Sequence, residues 1–345
     1  MRGYPMGEET RKPRSVFALV ALLSLALVLL VAACGEEKDD DSGGGGGGSA
    51  STGGKDCGKV VLNEQAWAGS TANTYIAKAV LEDKLGCEVE ITKITEIPVF
   101  QAMADGKVDA VLEDWQHVDQ YKQYIDKAGT VVQGGPNGVK GHIGWFIPKY
   151  LMDEHPEFKS WEGLKGQEDL FKTPESGDQG MFLGGDPSYV QKDEELIEAL
   201  DLNFKFVTAG AEPAQVARWS QLYKQEKPVI FYWYTPQYLN QEYDLAEVKL
   251  PPRTAANKDC KDDAKSGGDP EQYKCAYDVT IINKLFSKKF ADSGSPAYPV
   301  LKKFQLTNED QEQVAKAIAG DKQDPEKAGQ DWVEENANKV DAWLK

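Results

Sequence analysis

The sequence predicts an α/β fold of strand–helix–strand units arranged in two successive groups, and three observations carry that expectation. Between Lys59 and Trp115 short apolar runs alternate with helical patterns, which is how parallel βαβ units read. After the turn-like GGPNGVKG, residues 134–141, the alternation resumes with a second set of strands and helices. About 290 residues follow Cys57 without a second tether, enough for one large unit or two lobes.

Taken in order, KVVLNEQ reads as a strand and Ser70 to Leu85 as a helix that Ser70 or Thr71 can cap. VEITKI is the next strand, IPVFQAMADGK a short helix ending at Gly106, and VDAVLEDW a third strand. GHIGWFIPKYL is expected to cross into a second lobe, residues 142–240. There MFLGG is a strand and DPSYVQKDEELIEAL a helix, with Asp186 as N-cap and Pro187 at the first helical position. NFKFVTAG, EPAQVARWSQLYKQE and KPVIFYWYTPQYL follow as strand, helix and strand. The chain is then expected to return to the first lobe, residues 57–141 and 241–345, where VTIINKLFSKKFA and the C-terminal segments read as helices. Trp332 and Trp343 belong to the core of the last amphipathic stretch, and Trp145 and Trp219 are also assigned to packing.

The N-terminus sets the compartment. Arg2, Arg11, Lys12 and Arg14 precede an apolar run from Val16 to Ala33 that ends in Val31-Ala32-Ala33-Cys34, a secretory signal peptide with a lipobox over residues 1–34. Cys34 is the expected lipidation site, and an uncleaved signal anchor is the alternative. Residues 35–56 hold no large apolar group and are expected to act as a Gly-rich acidic tether, reaching roughly 25 Å. The rest of the chain is thus placed on the extracytoplasmic face of the membrane.

Four further cysteines in an oxidising compartment suggest two disulfides. Cys57 and Cys87 each precede a strand at the same sheet edge and are paired on that ground. Cys260 and Cys275 then close the polar loop between them. No CxxC or HxxxH spacing points to a metal, and no cofactor is expected. The formal charge of −17 would repel nucleic acid and anionic lipid. GxSxG and HExxH are missing, so no catalytic residue is assigned; an extracellular hydrolase using a carboxylate pair is the reading from another functional class.

Aromatic residues fall where ligands bind open α/β sheets, at the C-terminal ends of strands. Trp67 follows VVLNEQA, Trp115 ends VDAVLEDW, Tyr189 follows MFLGGDPS, and Tyr234 ends VIFYWY before Thr235-Pro236. Along that last strand Tyr232 and Tyr234 face one side while Phe231 and Trp233 face the other. Tyr234 is assigned to the ligand, with Trp233 as the alternative.

The segments W-A-G-S-T at Trp67, V-D-A-V-L-E-D-W at Trp115, G-G-D-P-S-Y at Tyr189, K-P-V-I-F-Y-W-Y-T-P at Tyr234 and the C-terminal D-P-E-K-A…W-V-E-E-N…V-D-A-W resemble the substrate-binding lipoproteins of glycine betaine/proline betaine ABC importers. The resemblance spans the chain after the tether. It implies a two-lobed periplasmic-binding-protein fold of type 2, with mixed, mainly parallel sheets flanked by helices and a ligand cleft between the lobes. It also implies an aromatic cage for a quaternary ammonium, with Trp115, Tyr189 and Tyr234 as its rings, and a membrane permease as partner of a monomeric receptor. Tyr234 stands where many members have Trp. A trimethylammonium donates no hydrogen bond, so ring faces are its natural partners. For the ligand's carboxylate the amides of Val190 and Gln191 are the first choice and those near Gly69 and Ser70 the second, both at expected helix starts. His142 is a further candidate contact. Choline and carnitine are the alternative ligands: Ala68 and Gly69 directly after Trp67 mildly disfavour choline, whereas Glu113 and Asp114 beside Trp115 keep it open.

Overall fold

The computed structural model describes residues 57–264 and 268–345. The signal peptide, Cys34 and the tether expected from the sequence lie outside them. Strand β1 (Lys59–Asn63) runs parallel to both β2 (Glu88–Thr92) and β3 (Ala110–Asp114), linked by helices α1 (Ala68–Leu85) and α2 (Glu96–Asp105). Both helices stop at a glycine in the left-handed region, Gly86 and Gly106, which releases the chain toward the next strand.

Strand β4 (Val131–Pro148) is the long element that joins this half to the next. Its first part pairs antiparallel with β9 (Val279–Ser287), and its last residues pair with β7 (Ile230–Thr235) and β8 (Leu245–Val248). Strand β5 (Gly180–Gly184) lies parallel to both β6 (Phe204–Thr208) and β7. The sheet order is β2-β1-β3-β9-β4-β7-β5-β6, with β8 off the path on β4. Helix α3 (Asp193–Ala199) follows β5 and helix α4 (Glu212–Lys224) follows β6.

Three local expectations are corrected. GGPNGVKG is not a turn between strands but part of β4, whose pairing with β9 shifts between Gln133 and Gly135 and again between Pro136 and Lys140. These irregularities bend the strand without ending it. VTIINKLF is β9 rather than a helix: its run of β-branched Val279, Thr280, Ile281 and Ile282 suits a pleated strand, and only Lys288–Asp292 behind it is helical. DPSYVQ does not start a helix. Asp186 spends Oδ1 on the Ser188 amide (2.8 Å) and hydroxyl (2.7 Å), closing a side-chain turn, and α3 begins only at Asp193.

The expected pairings of cysteines are present, Cys57 with Cys87 (Cα–Cα 4.8 Å) and Cys260 with Cys275 (6.4 Å). Trp332 stacks near Trp343, with ring centroids 6.0 Å apart, and both are buried, as are Trp145 and Trp219.

Candidate ligand cavity

The ends of β1, β3, β5 and β7 converge, and the side chains that follow them enclose one void. Trp67, Trp115, Tyr189, Tyr232 and Tyr234 line this small space together with Val190 and Glu96. Trp67 meets Tyr189 edge-on with centroids 5.5 Å apart, and Trp115 meets Tyr234 likewise at 5.6 Å. Each contact joins a ring from the first half of the sheet to one from the second.

Two glycines make room for these rings. A Cβ on Gly141 would come within 2.4 Å of the Trp115 ring, and one on Gly185 within 2.9 Å of Tyr189. The strand alternation of β7 puts Tyr234 and Trp233 on opposite faces. Trp233 lies on the opposite face, edge-on to Trp219 at 5.2 Å with its indole N–H on Asn240 Oδ1 (2.7 Å), whereas Tyr232 and Tyr234 face the void.

Buried carboxylates hold the rings. Glu113 Oε1 accepts two indole N–H groups, Trp67 Nε1 at 2.8 Å and Trp115 Nε1 at 3.1 Å, and its Oε2 accepts Asn73 Nδ2 at 2.7 Å. Burial pushes the Glu113 carboxyl up to about 8, against the pull of its indole donors. Glu212, at the start of α4, accepts the Ala68 amide on Oε1 (3.0 Å) and the Tyr234 hydroxyl on Oε2. Its own amide donates to the Tyr189 hydroxyl (3.1 Å), which in turn donates to Ala66 O (3.1 Å). Burial also raises the Glu212 carboxyl above its ordinary range, opposed by these donors.

A third group stands beside the void. His117 is buried between Glu96 (Nε2 to Oε1, 3.4 Å) and Asp263 (Nδ1 to Oδ2, 2.9 Å). Burial alone would lower its pKa, yet the two carboxylates outweigh it and hold the imidazole up at about 10, so it is a cation at neutral pH. Asp263 comes from the loop closed by Cys260 and Cys275. That loop also places the Ala264 amide on Gln191 O (2.9 Å), so it reaches the site rather than standing apart as a surface loop.

The remaining expected residues are distributed unevenly. Val190 lines the void, but Gln191 does not: its side chain is turned back onto Asp186 O (2.8 Å). Gly69 and Ser70 sit in the first turn of α1 behind Trp67 and outside the void's lining; Ser70 Oγ accepts the Gln65 amide (2.9 Å). His142 is away from the void, paired with Glu247 (2.8 Å). Sequence reasoning missed Glu96, His117, Asp263 and Glu212. Glu96 opens α2 just beyond the C-terminal end of β2, the same kind of position as Trp67 beyond β1, and would have been found had acidic residues been mapped there too.

Residues 58–335 match the family model described as the substrate binding domain of ABC-type glycine betaine transport systems. The chain belongs to that family. Similar solved structures include lactococcal OpuAC in its closed-liganded conformation complexed with glycine betaine, 22% identical with TM-score 0.65, the match covering 83% of this chain and 99% of that one. The glycine betaine, L-proline-binding protein ProX from Borrelia burgdorferi is 20% identical with TM-score 0.65, covering 83% and 97%. An ABC-transporter choline binding protein in complex with choline is 18% identical with TM-score 0.65, covering 84% and 92%. These likenesses establish the two-lobed binding-protein fold. A substrate-binding domain of this family is the extracytoplasmic component of an ABC importer, and among the described residues no helix is long and apolar enough to cross a membrane.

Proposed function

We propose that the chain captures a quaternary ammonium solute of the glycine betaine class and presents it to a membrane permease. The observation that carries this reading is the aromatic void: four strand ends deliver rings to one space, and the acidic residue in its lining is Glu96. A trimethylammonium needs ring faces and negative charge and no hydrogen-bond acceptor, which is what this lining supplies. Trp67, Trp115, Tyr189 and Tyr234 form the cage, with Tyr232 behind Tyr189 at 6.4 Å.

The chemistry is binding without turnover. Glu113 and Glu212 each engage both oxygens with protein donors, which suits holding rings in place and ill suits the acid and base of a hydrolase. Capture proceeds by lobe closure. Contacts such as Trp67–Tyr189 and Ala68–Glu212 span the two halves, so a ligand seated among the rings favours the closed arrangement over the open one. Lobe 1 comprises 57–141 and 241–345 and lobe 2 comprises 142–240. The receptor acts as a monomer tethered through a lipid on Cys34, and ATP hydrolysis belongs to another chain.

Calorimetric titration with glycine betaine, proline betaine, carnitine and choline tests the proposal. Saturable one-to-one binding of at least one, with no product formed, is expected. Binding of none, or consumption of any, would refute it.

A further inference from the structure

We propose that the Cys260–Cys275 bridge is a site of thiol–disulfide exchange, at which an extracytoplasmic dithiol attacks Cys260 and Lys192 receives Cys275 as the leaving thiolate, and that opening it weakens solute binding. The effect on binding rests on the quaternary ammonium reading, whereas the exchange chemistry stands without it.

The two sulfurs of this bridge meet different surroundings. Cys260 is partly exposed and lines an outer groove that also borders Trp115 and Val190. Cys275 is 0% exposed, and its Sγ accepts a hydrogen bond from Lys192 Nζ at 3.0 Å. Lys192, the residue before α3, is equally buried. Its Nζ also donates to Lys261 O (3.1 Å) and Asp262 Oδ1 (2.8 Å), and lies 4.7 Å from the centre of the Tyr277 ring. Three acceptors and a ring face suit an ammonium with three hydrogens, whereas a neutral amine would turn its lone pair toward one of these acceptors. Burial lowers the Lys192 pKa, and Asp262 opposes that shift. The other bridge lacks this asymmetry of exposure, because Cys57 and Cys87 are both buried, at 7% and 6%.

The asymmetry sets the direction of exchange. Attack is fastest where the departing thiolate is best stabilised, and a neighbouring ammonium stabilises a thiolate. The first thiolate of the dithiol therefore bonds to Cys260 Sγ, the Cys260–Cys275 bond breaks, and its electron pair leaves on Cys275 beside Lys192. The second thiolate of the dithiol then attacks the mixed disulfide and releases Cys260. One of the dithiol's two protons returns to Cys260, and the other goes to solvent while Cys275 stays ionised. The dithiol is oxidised to its own disulfide, and the bridge takes up the two electrons.

Residues next to the bridge hold one flank of the void. Asp263 Oδ2 sits 2.9 Å from His117 Nδ1, and the Ala264 amide donates to Gln191 O at 2.9 Å, next to Val190 in the lining. Arg253 joins the two ends of the bridge, from Cys260 O (2.9 Å) to Ala276 O (3.1 Å), and shares Asp262 with Lys192. Once Cys275 is a thiolate it competes with Asp262 for Lys192. Asp262 and Asp263 then lose their covalent tie and part of their ionic one together.

The test is timed reduction of the full chain in detergent by dithiothreitol at neutral pH, followed by alkylation and peptide mapping to read each cysteine separately. Cys260 and Cys275 are expected to open roughly tenfold faster than Cys57 and Cys87. Lys192→Met keeps an unbranched side chain and removes the ammonium, and is expected to slow that opening roughly fivefold. A merely structural lysine gives the opposite sign, since a loosened loop exposes its bridge and opens faster. Equal rates for the two bridges, or a folded Lys192→Met that opens as fast as the wild type or faster, would overturn the exchange site. Where the variant does not fold, glutathione on the wild type decides. Its adduct is expected on Cys260 with Cys275 left as the free thiol, and an adduct on Cys275 would overturn the proposal. Calorimetry with glycine betaine and choline on protein reduced at this bridge alone is expected to show affinity lower by roughly tenfold. Unchanged affinity would overturn the coupling to the void. Failure of the solute reading looks different, because the oxidised protein would then bind neither compound.

Discussion

Cation binding at this site is expected to release a proton from Glu113. Its carboxyl stands at about 8 when the void is empty because burial disfavours the charge, while one of its oxygens touches both cage indoles. A quaternary ammonium held about 6 Å away, at an effective dielectric of about 20, interacts with that carboxylate by about 2.8 kcal/mol. This would lower its pKa by about 2 in the complex, to about 6. The sign follows from the charge. The ligand favours the ionised form, so binding expels a proton and affinity rises with pH between about 6 and 8, up to about a hundredfold across the range, and is flat above it. Titration in two buffers of different ionisation enthalpy counts the protons. Near pH 7 the count should approach one for the wild type and fall to zero for Glu113→Gln. An affinity that does not change from pH 6 to 8, with no proton released, would refute the placement of the cation beside Glu113.

Further outcomes follow from the same geometry. Trp115→Leu and Tyr234→Leu keep apolar contact but lose the ring quadrupole, so each should cost about 1–2 kcal/mol, or about five- to thirty-fold in affinity by calorimetry. Gly141→Ala would place a methyl 2.4 Å from the Trp115 ring and should displace it, weakening binding on the order of tenfold while the circular dichroism spectrum is retained. Opening the Cys260–Cys275 bridge with paired Ser substitutions frees a loop with sequence separation 15 and should lower unfolding free energy by about 3 kcal/mol in chemical denaturation. Because Asp263 and Ala264 in that loop hold His117 and Gln191, affinity should fall as well. Unchanged binding would show that the loop is only a surface staple.

The legible part of the fold was the part made of local repeats. The first βαβ series and the strands of the second half show their periods directly, and the polar segment between Cys260 and Cys275 showed its bridge. What failed depends on distant partners. Strand β9 reads as a helix until β3 and β4 are seen on either side of it, and β4 reads as turn plus strand because pairing with β9 carries it through its irregular Gly134–Gly138 stretch. Asp186 looks like a helix cap, yet satisfies its own turn first.

The site divides in the same way. Aromatic rings at strand ends are visible one by one, and the topology brings Trp67, Trp115, Tyr189 and Tyr234 to one void. The carboxylates could not be singled out among 56 acidic residues. Glu212 reads as an ordinary first-turn acid of α4, and its bond to Ala68 spans 144 residues. His117 becomes a cation only because Glu96 and Asp263 arrive from separate segments.

The central claim is that the rings recognise charge and not merely shape. The direct measurement is the affinity of a trimethylammonium ligand against its neutral tert-butyl isostere, determined by calorimetry on the same protein at the same pH. The account predicts that the charged ligand binds at least tenfold tighter, because three or four rings each contribute roughly 0.5–2 kcal/mol to a desolvated cation and little to a neutral group of the same size. Equal affinities would contradict it and return Trp67, Trp115, Tyr189 and Tyr234 to the role of core packing.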